Sequence, residues 1–465
     1  MLQRFRLDDP VFLDQIGGRL AAALRRAGKL EHGLLSVTLA VPEIPFESLP
    51  ASLREMFYWS RPAAKHNLLG LGVAAVAEAA GVERWRRLKD AFAAWQAHWR
   101  HMDEDGTGLR PLALGGFAFA PQGCATDLPA SRLMVPALLL RRAGEISALT
   151  FTFSAASGGV VLEPALQRLR QLAAALAAQP PCPASENQSL LRAACEPGDE
   201  AWLARVAEAV ADIQSGRLDK VVLTRHITVS AQQPFDSGRI MAELARRYPR
   251  CTLFGLETDG GGVFLGASPE LLAGLHNGDA YCDALAGTAW GECGVDKGES
   301  LLGDVKNGRE HRLVVQAVAE ALRPVCARLE VPAAPVALHL GHLQHLRSTL
   351  RGRVKAGVGL LDLIERLHPT PAVGGYPRQA ALDWLAHHHE VRDNWYTGAI
   401  GWMDLGGEGE FAVALRCALV QGNRAQLYAG AGIVAGSDPK LELAETEAKL
   451  SAMLNALGRP GGKID

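Results

Sequence analysis

Apolar residues recur along this chain with two different spacings, and the two kinds of segment are mixed from one end to the other. Recurrence every three to four residues predicts amphipathic helices, which cover 15–26, 84–100, 163–178, 200–215, 304–315 and 441–450. Alternation predicts strands, which cover 34–41, 148–153, 220–229, 262–268, 284–289, 410–419 and the first part of 427–439. The alternation over 410–419 is strict, so we predict one continuous strand there.

A proline-rich stretch over 179–187 interrupts this pattern, because proline cannot continue a helix. We predict a linker there, with an N-terminal half over 1–190 and a C-terminal region over 198–460. The N-terminal half offers little chemistry, whereas the C-terminal region carries all the candidate functional residues.

Composition narrows the classes of protein that need to be considered. The 465 residues carry a formal net charge of −2, so no basic field favours nucleic acid as a partner. The N-terminus lacks the apolar core of a signal peptide, and no run approaches the roughly 20 apolar residues of a membrane span. The eight cysteines include no CxxC pair, which argues against a disulfide framework and a zinc ribbon. We therefore expect a soluble, cytoplasmic protein with no membrane partner.

Two charged residues stand at the ends of predicted apolar strands. Lys220 begins one strand, where desolvation can lower the pKa of a lysine and make it a base. A lysine that reaches solvent from the strand end is the alternative. Glu270 follows a Ser-Pro turn at the end of another strand, where an apolar setting can keep a carboxyl protonated as a general acid. A glutamate that only caps the turn is the alternative.

Carboxylates on two predicted helices suggest a cation site. The helix over 441–450 places Glu442 and Glu445 on one face, followed by Lys449. Glu310, in an early turn of the helix over 304–315, supplies a third carboxylate. Oxygen ligands of this kind, completed by water, suit Mg²⁺. For the helix taken alone, a solvated face with an ordinary ion pair is the alternative.

Other polar positions suggest contact with an anion. Arg416 stands among alanines on one face of its predicted strand, which leaves room for a planar anion, although an arginine lying over a sheet edge is equally consistent. Gly287 and Thr288 end a strand of small residues, where a ligand can approach the backbone. The histidines at 339, 342 and 345 have no carboxylate or cysteine on the same face, so we disfavour zinc and expect His345 to line a polar site.

Taken together and in this order, these residues resemble the motifs of the chorismate-utilising enzymes, and within them those of the isochorismate synthases. The motifs are KVVLTR at 220–225, GASPE at 266–270, LAGT at 285–288, EH at 310–311, HL at 345–346, HPTPAVGGYP at 368–377, YTGAIG at 396–401, VALR at 413–416 and the segment 429–449. The set covers about residues 198–457, and the resemblance over the N-terminal half is weak.

The resemblance implies an α+β fold of two large, mostly antiparallel sheets packed face to face, with helices outside and the N-terminal half completing the sheets. It implies that Lys220 activates water and that Glu270 protonates a departing hydroxyl. The implied substrate-binding residues are Gly287, Thr288, His345, Tyr396, Arg416, Gly430 and Lys449, and the implied Mg²⁺ ligands are Glu310, Glu442 and Glu445.

The implied reaction is the Mg²⁺-dependent isomerisation of chorismate to isochorismate, in which water adds at C2 and the C4 hydroxyl leaves. The product would feed menaquinone synthesis or a salicylate- or dihydroxybenzoate-type siderophore. A catalytically silent scaffold of the same fold is disfavoured, because packing alone would not require Lys220, Glu270 and the other charged residues of the set.

Individual positions distinguish this chain from other branches of the same resemblance. Ala286 stands where the aminodeoxychorismate synthases place a lysine nucleophile, and Lys220 favours water over ammonia, so no glutaminase partner is expected. Ala372 takes a position that looks like a threonine in the salicylate-forming members of the family. The resemblance therefore favours a product that keeps its enolpyruvyl group. A salicylate synthase, which also eliminates pyruvate, is the alternative. Asn307 replaces an acidic residue of many relatives, which puts the outer part of the Mg²⁺ shell in doubt.

Overall fold

The computed structural model describes residues 8–43, 55–123, 127–157, 160–177, 189–290, 298–340, 343–390 and 392–460. Its helices are α1 (Pro10–Ala27), α2 (Arg84–Ala97), α3 (Leu162–Ala177), α4 (Asp199–Gln214), α5 (Ser237–Arg247), α6 (Gly298–Gly303), α7 (Val305–Leu322), α8 (Leu360–Leu367), α9 (Arg378–His387) and α10 (Pro439–Leu457).

The strands of the N-terminal half are β1 (Leu34–Val41), β2 (Met56–Arg61), β3 (His66–Glu78), β4 (Trp99–Asp103), β5 (Leu112–Phe117), β6 (Ser131–Ala143) and β7 (Ile146–Ser154). Those that follow are β8 (Ser189–Glu196), β9 (Lys220–Ser230), β10 (Thr252–Glu257), β11 (Val263–Ser268), β12 (Leu271–His276), β13 (Asp279–Trp290), β14 (Cys326–Glu330), β15 (Val336–Leu340), β16 (Leu343–Val354), β17 (Gly375–Tyr376), β18 (Ala399–Asp404), β19 (Gly409–Val413), β20 (Cys417–Gln421), β21 (Arg424–Val434) and β22 (Arg459–Pro460).

The predicted helices coincide with observed ones, but one of them was predicted to extend too far. The helix predicted over 84–100 ends at Ala97, and Trp99 begins β4. The Trp99 indole is buried and its Nε1 donates to Ser36 Oγ at 2.9 Å, so this residue anchors the parallel pairing of β4 with β1 instead of continuing the helix. The predicted linker over 179–187 lies outside the described residues.

The strands form two layers that are joined along one pair of strands. The first layer runs in the order β9, β21, β20, β11, β10, β2 and β3, and the second in the order β16, β13, β12, β19, β18, β5 and β6. β3 pairs along β6, so hydrogen bonding continues from one layer into the other. Among the described strands, every pairing is antiparallel except β1 with β4 and β8 with β22. The expected α+β class with a large, mostly antiparallel sheet structure is confirmed.

Apolar side chains fill the space between the layers and the spaces beneath the helices. The cluster between the layers includes Trp59 on β2, Phe254 on β10 and Trp402 on β18. A fully buried side chain of this size contributes about 2 kcal/mol to stability. Outside, α1, α3, α5 and α10 share a cluster with strands of the first layer, α2, α7 and α8 share one with the second, and α4 and α9 pack on β9 and β21.

Both parts of the chain contribute to these layers. β2 pairs with β10 and β5 pairs with β18, so strands that precede residue 190 hydrogen-bond to strands that follow it. The division of the chain near residue 190 therefore stays a prediction that rests on the sequence alone. No helix in the described ranges is long and apolar enough to cross a membrane.

The prediction of one strand over 410–419 is wrong, because the chain crosses between the layers there. β19 pairs with β12 and β18 in the second layer, whereas β20 pairs with β11 and β21 in the first. Residues 414–416 make the crossing, held where Thr397 N–H donates to the Ala414 carbonyl at 2.9 Å. Arg416, the last of the three, has a left-handed φ of 50°. This break in the strand places the Arg416 guanidinium where the chain passes from one layer to the other.

Candidate active site

The predicted site residues meet at one cleft, where the layers are bridged by residues 414–416. The cleft encloses about 630 Å³ when its open mouth is included. All of the predicted site residues line it except Lys220 and Glu442. Lys220 contacts a lining residue, Glu310, and Glu442 lies one helical turn from another, Glu445.

Lys220 and Glu310 form a buried ion pair at the wall of the cleft. Lys220 is 1% exposed, and its Nζ donates to Glu310 Oε1 at 2.8 Å. Burial would raise the pKa of Glu310, but the charges of Lys220, Lys449 and Lys306 and the hydrogen bond from Lys220 outweigh burial and lower it. Glu310 is therefore held as a carboxylate.

A glycine that sequence reasoning missed makes room for this pair. Gly432 lies on β21 opposite Val222 of β9. A Cβ added to Gly432 would stand 2.7 Å from Glu310 Oε1 and 2.9 Å from Lys220 Cε, closer than real Cβ contacts. The only sign of this in the sequence is the Ala-Gly-Ala-Gly run at 429–432, which leaves one face of the strand bare.

Glu270 has the surroundings expected of a proton donor. It lies in the turn between β11 and β12, where its N–H donates to Ser268 Oγ at 3.2 Å and its carbonyl accepts from Val413 N–H at 3.0 Å. Its side chain is 2% exposed, and Oε1 has no hydrogen-bond partner among the described residues. Burial, and then the charge of Asp283, raise its pKa to about 8 against the effect of nearby cations. At neutral pH this carboxyl holds its proton.

A chain of hydrogen bonds runs from Arg416 along the cleft floor. Arg416 Nη2 lies 2.9 Å from His345 Nε2, and His345 Nδ1 lies 3.2 Å from Thr288 Oγ1. Because arginine can only donate, Nε2 accepts and Nδ1 carries the proton of a neutral imidazole. Burial and then the charges of Arg416 and Lys449 keep the pKa of His345 well below its usual value. Thr288 Oγ1 donates onward to Glu445 Oε1 at 3.3 Å.

The backbone at Gly287 is shaped by a bulge in β13. The register with β16 shifts between Ala286 and Thr288, and Gly287 has a φ of 78°, which strongly favours glycine. Asn307 Oδ1 accepts from Thr288 N–H at 3.1 Å and so holds the bulge against α7. The residue singled out because it replaces an acidic side chain thus positions two of the predicted substrate contacts.

The lining of the cleft also includes an aromatic pair and a lysine. Tyr396 stacks on Tyr428 with ring centroids 5.0 Å apart and an interplanar angle of 19°, and burial raises the pKa of the Tyr396 phenol. Lys449 Nζ donates to the Gly430 carbonyl at 2.8 Å and lies 2.6 Å from Glu445 Oε1. The predicted pairing of Glu445 with Lys449 across one turn of α10 is therefore present.

Each of the predicted metal ligands is paired with a lysine. Glu310 contacts Lys220, Glu445 contacts Lys449, and Glu442 Oε1 accepts from Lys306 Nζ at 2.7 Å. Lys306 was missed by sequence reasoning, because a lysine in the first turn of a helix gives no sign of its partner. Burial, and then the charge of Glu445, raise the pKa of Glu442 against the effect of Lys306. In the described part of the chain, no three His, Cys, Asp or Glu side chains are grouped closely enough to hold one ion.

Two of the three histidines that were considered for zinc lie on neighbouring strands. His345 lies on β16 and lines the cleft, and His339 lies on the neighbouring strand β15. Residue 342 lies outside the described residues. His345 is thus accounted for by its contacts with Arg416 and Thr288.

Comparison with known proteins agrees with this geometry. A sequence model described as chorismate binding enzyme matches residues 21–458. The salicylate biosynthesis isochorismate synthase of Pseudomonas aeruginosa is 35% identical over 422 residues, which are 87% of this chain and 85% of that protein. The isochorismate synthase MenF of Bacillus subtilis is 33% identical over 419 residues, which are 86% and 88% of the two chains. The solved structure of MenF, the menaquinone-specific isochorismate synthase from Escherichia coli, has a TM-score of 0.77 at 29% identity and covers 95% of this chain and 99% of its own. This chain therefore belongs to the chorismate binding enzyme family.

Proposed function

We propose that this protein is an isochorismate synthase that acts on chorismate in the cytoplasm. The observation that carries the proposal is that Glu270, whose pKa is raised to about 8, lines the same cleft as Glu310, which contacts the buried amine of Lys220. A base for water and an acid for the leaving hydroxyl are the two groups that this isomerisation needs. The isochorismate synthases among the relatives support the proposal.

In the proposed reaction Lys220 takes a proton from water as the water oxygen bonds to C2 of chorismate. The ring double bonds shift, the C4–O bond breaks, and the departing hydroxyl leaves as water with the proton of Glu270. One C–O bond forms and one breaks, and one water enters and one leaves. The reaction is therefore expected to be reversible and near equilibrium.

Lys220 needs a free amine to act as this base. Its Nζ donates to Glu310 Oε1 at 2.8 Å in a buried pair, so we expect this contact to open before the amine meets water. Because Gly432 has no Cβ, the strand β21 does not crowd either side chain of the pair.

The substrate's two carboxylates match the cations that line the cleft. Arg416 sits at the crossing between the layers, and its contact with a neutral His345 leaves other guanidinium nitrogens for an anion. Lys449 and Tyr396 also line the cleft, near the backbone of Gly430. We infer that these groups hold the carboxylates while Gly287 and Thr288 contact the ring side of the substrate.

We infer from the donor set that the cofactor is Mg²⁺. Glu310, Glu442 and Glu445 offer oxygen ligands only, which suits a hard cation that retains water. The raised pKa of Glu442, caused by burial and then by Glu445, reflects a repulsion that a cation would relieve. Bound there, Mg²⁺ would supply positive charge beside a substrate carboxylate. The lysine contacts of the three glutamates are the ones that such an ion would replace.

The products distinguish this proposal from a salicylate synthase. Ala372 lines the cleft with only a methyl group, which supports release of a product that keeps its enolpyruvyl group. The purified protein should be incubated with chorismate and Mg²⁺ or EDTA, with chromatography of the products and a lactate dehydrogenase assay for pyruvate. We expect a Mg²⁺-dependent mixture of chorismate and isochorismate without pyruvate. Stoichiometric pyruvate and salicylate would overturn the product assignment, and no turnover would overturn the proposal.

A further inference from the structure

One edge of β9 is bordered for part of its length by side chains instead of a strand. Along its other edge β9 pairs with β21 from 220 to 230. On the first edge β17 pairs with residues 220–221 and β8 pairs with residues 226–230. Between these two pairings, in the described part of the chain, no strand borders this edge. The backbone groups exposed there need other partners, because buried N–H and C=O groups are costly to leave unbonded.

Two buried side chains supply these partners. The N–H and the hydroxyl of Thr224 donate to Glu390 Oε1 at 2.6 and 2.5 Å. The Val222 carbonyl accepts from Arg392 Nη2 at 2.8 Å. Glu390 is held in turn by Arg205 of α4, whose Nη1 donates to Glu390 Oε2 at 3.0 Å. The Glu390 side chain is 3% exposed and Arg392 is 4% exposed, so water competes little for these bonds.

Arg392 also contacts two other segments of the cleft lining. Its Nη1 donates to the Val373 carbonyl and, at 3.1 Å, to Thr397 Oγ1. Val222, Val373 and Thr397 all line the cleft and come from three segments that are separate in sequence. One planar guanidinium therefore joins three parts of the lining, and the rigid fork of its N–H groups fixes their relative positions.

Thr397 has a backbone conformation that depends on such contacts. It is a β-branched residue with a left-handed φ of 58°, which residues of this kind rarely adopt and which costs free energy. Its hydroxyl accepts from Arg392 and donates to the Tyr396 carbonyl at 2.6 Å. Its N–H donates to the Ala414 carbonyl at 2.9 Å. The bond from Arg392 therefore helps to hold a strained residue directly beside Tyr396, a predicted substrate contact.

The N-terminal half of the chain supports the same guanidinium. Phe119, which follows β5, has its ring centroid 3.8 Å from the guanidinium carbon of Arg392. A cation–π contact of this kind stabilises a desolvated arginine. Among the described residues that line the cleft, none precedes Val222. The contact thus connects the N-terminal half to the cleft through Arg392.

We propose that Arg392 is a positioning residue, which fixes β9 with Lys220 relative to the segment that carries Tyr396. Lys220 stands two residues before Val222 on β9, and Tyr396 directly precedes Thr397. The consequence for catalysis rests on the proposed function, in which Lys220 is the base and Tyr396 contacts the substrate. The hold on β9 does not, because it can be measured without substrate.

Hydrogen–deuterium exchange of the substrate-free protein tests the hold on β9. Arg392→Lys keeps the positive charge but replaces the fork with one nitrogen, so amides over 220–224 should exchange several-fold faster than in wild type. Arg141→Lys is the matched control, because Arg141 is also buried, donates to a backbone carbonyl and lies over an aromatic ring, yet does not line the cleft. The control should leave exchange over 220–224 unchanged. Unchanged exchange in Arg392→Lys would overturn the proposal.

Steady-state kinetics separates positioning from a purely structural role. Arg392→Lys should lower kcat by about 10- to 100-fold through Lys220, since small misplacements of a catalytic group are costly, and should raise KM through Tyr396. Arg141→Lys should lose stability in urea unfolding while the folded protein keeps wild-type kcat and KM. Wild-type kinetics in folded Arg392→Lys would overturn the positioning role. Absence of chorismate turnover in wild type would instead refute the proposed function and leave the exchange result standing.

Phe119→Leu provides a second route if Arg392→Lys does not fold. It removes the ring beside the guanidinium and keeps the hydrogen bonds of Arg392 in place. Exchange over 220–224 should rise and kcat should fall in the same directions as in Arg392→Lys, each by only a few-fold. Wild-type exchange together with wild-type kcat in Phe119→Leu would contradict the proposal.

Discussion

Glu270 shows how a common side chain acquires an uncommon property at a single position. A solvent-exposed glutamate is ionised at neutral pH and has no proton to give. Glu270 is 2% exposed, and burial and Asp283 raise its pKa to about 8. The turn between β11 and β12 supplies this setting, which a search for acidic residues alone would not reveal.

This shift predicts how the stability of the protein depends on pH. The pKa of Glu270 is raised in the folded protein, so between its ordinary value of 4.5 and about 8 the folded state binds the proton more tightly than the unfolded chain does. The free energy of unfolding should therefore fall through this window as pH rises, and Glu270→Gln should remove that fall. Measured by urea unfolding, the free energy of unfolding of the variant should rise relative to that of wild type by up to a few kcal/mol between about pH 5 and pH 8. A constant difference between the two proteins would contradict this.

Gly432 is the second position at which one residue decides the geometry. An alanine there would place its Cβ 2.7 Å from Glu310 Oε1, so Gly432→Ala should push apart the Lys220–Glu310 pair. We expect kcat to fall by about 100-fold, the scale of a 1 Å misplacement of a catalytic group. Gly18→Ala is the control, because a Cβ there meets no atom within 4 Å. Steady-state kinetics on folded protein would decide, and wild-type kcat in Gly432→Ala would contradict the role.

At the scale of elements, α7 and α10 bring three glutamates and two lysines to the site. α7 carries Lys306 and Glu310, and α10 carries Glu442, Glu445 and Lys449. Helical spacing predicted that Glu442, Glu445 and Lys449 share one face of α10, because residues three and four apart lie together on a helix. Lys306 pairs with a glutamate on another helix, and such a partner depends on tertiary packing that no local spacing contains.

Lys306 should make binding of the proposed cation weaker than the glutamates alone would allow. Its ammonium lies 2.7 Å from Glu442 Oε1, so a metal ion must displace or oppose it. Lys306→Gln should therefore bind Mg²⁺ more tightly, by roughly tenfold if about 1.4 kcal/mol of repulsion is removed. Isothermal titration calorimetry without substrate would measure this. Lys440→Gln, an exposed lysine on α10, is the control. Weaker binding in Lys306→Gln would show that the lysine supports the site.

The limits of prediction from sequence also lie at this scale. The helices over 15–26, 163–178 and 441–450 were found because a single buried face repeats in them. The strand over 410–419 was predicted as one element because its apolar spacing continues unbroken, although the chain changes layers at Ala414. A change of layer alters the strands with which a segment pairs, but it does not alter the alternation of apolar and polar residues along that segment. The same crossing sets the position of Arg416, which the pattern assigned to a strand face.

For the whole molecule, the cleft exists because two layers meet. Strands from both sides of residue 190 build those layers, and the match to the family extends over residues 21–458. The resemblance inferred from motifs in the C-terminal region is thereby confirmed and extended to the N-terminal half. The roles of the individual site residues stay predictions, since the geometry brings the side chains together without displaying the reaction.

The central claim is that Lys220 directs water to C2 while Glu270 releases the C4 hydroxyl. The most direct measurement is mass spectrometry of isochorismate formed in ¹⁸O-labelled water at low conversion. The account predicts one ¹⁸O atom in each product molecule, located at C2, and no turnover in Lys220→Ala or Glu270→Gln that still bind chorismate. Isochorismate without ¹⁸O would mean that the hydroxyl migrates within the substrate, and it would contradict the roles assigned to both residues.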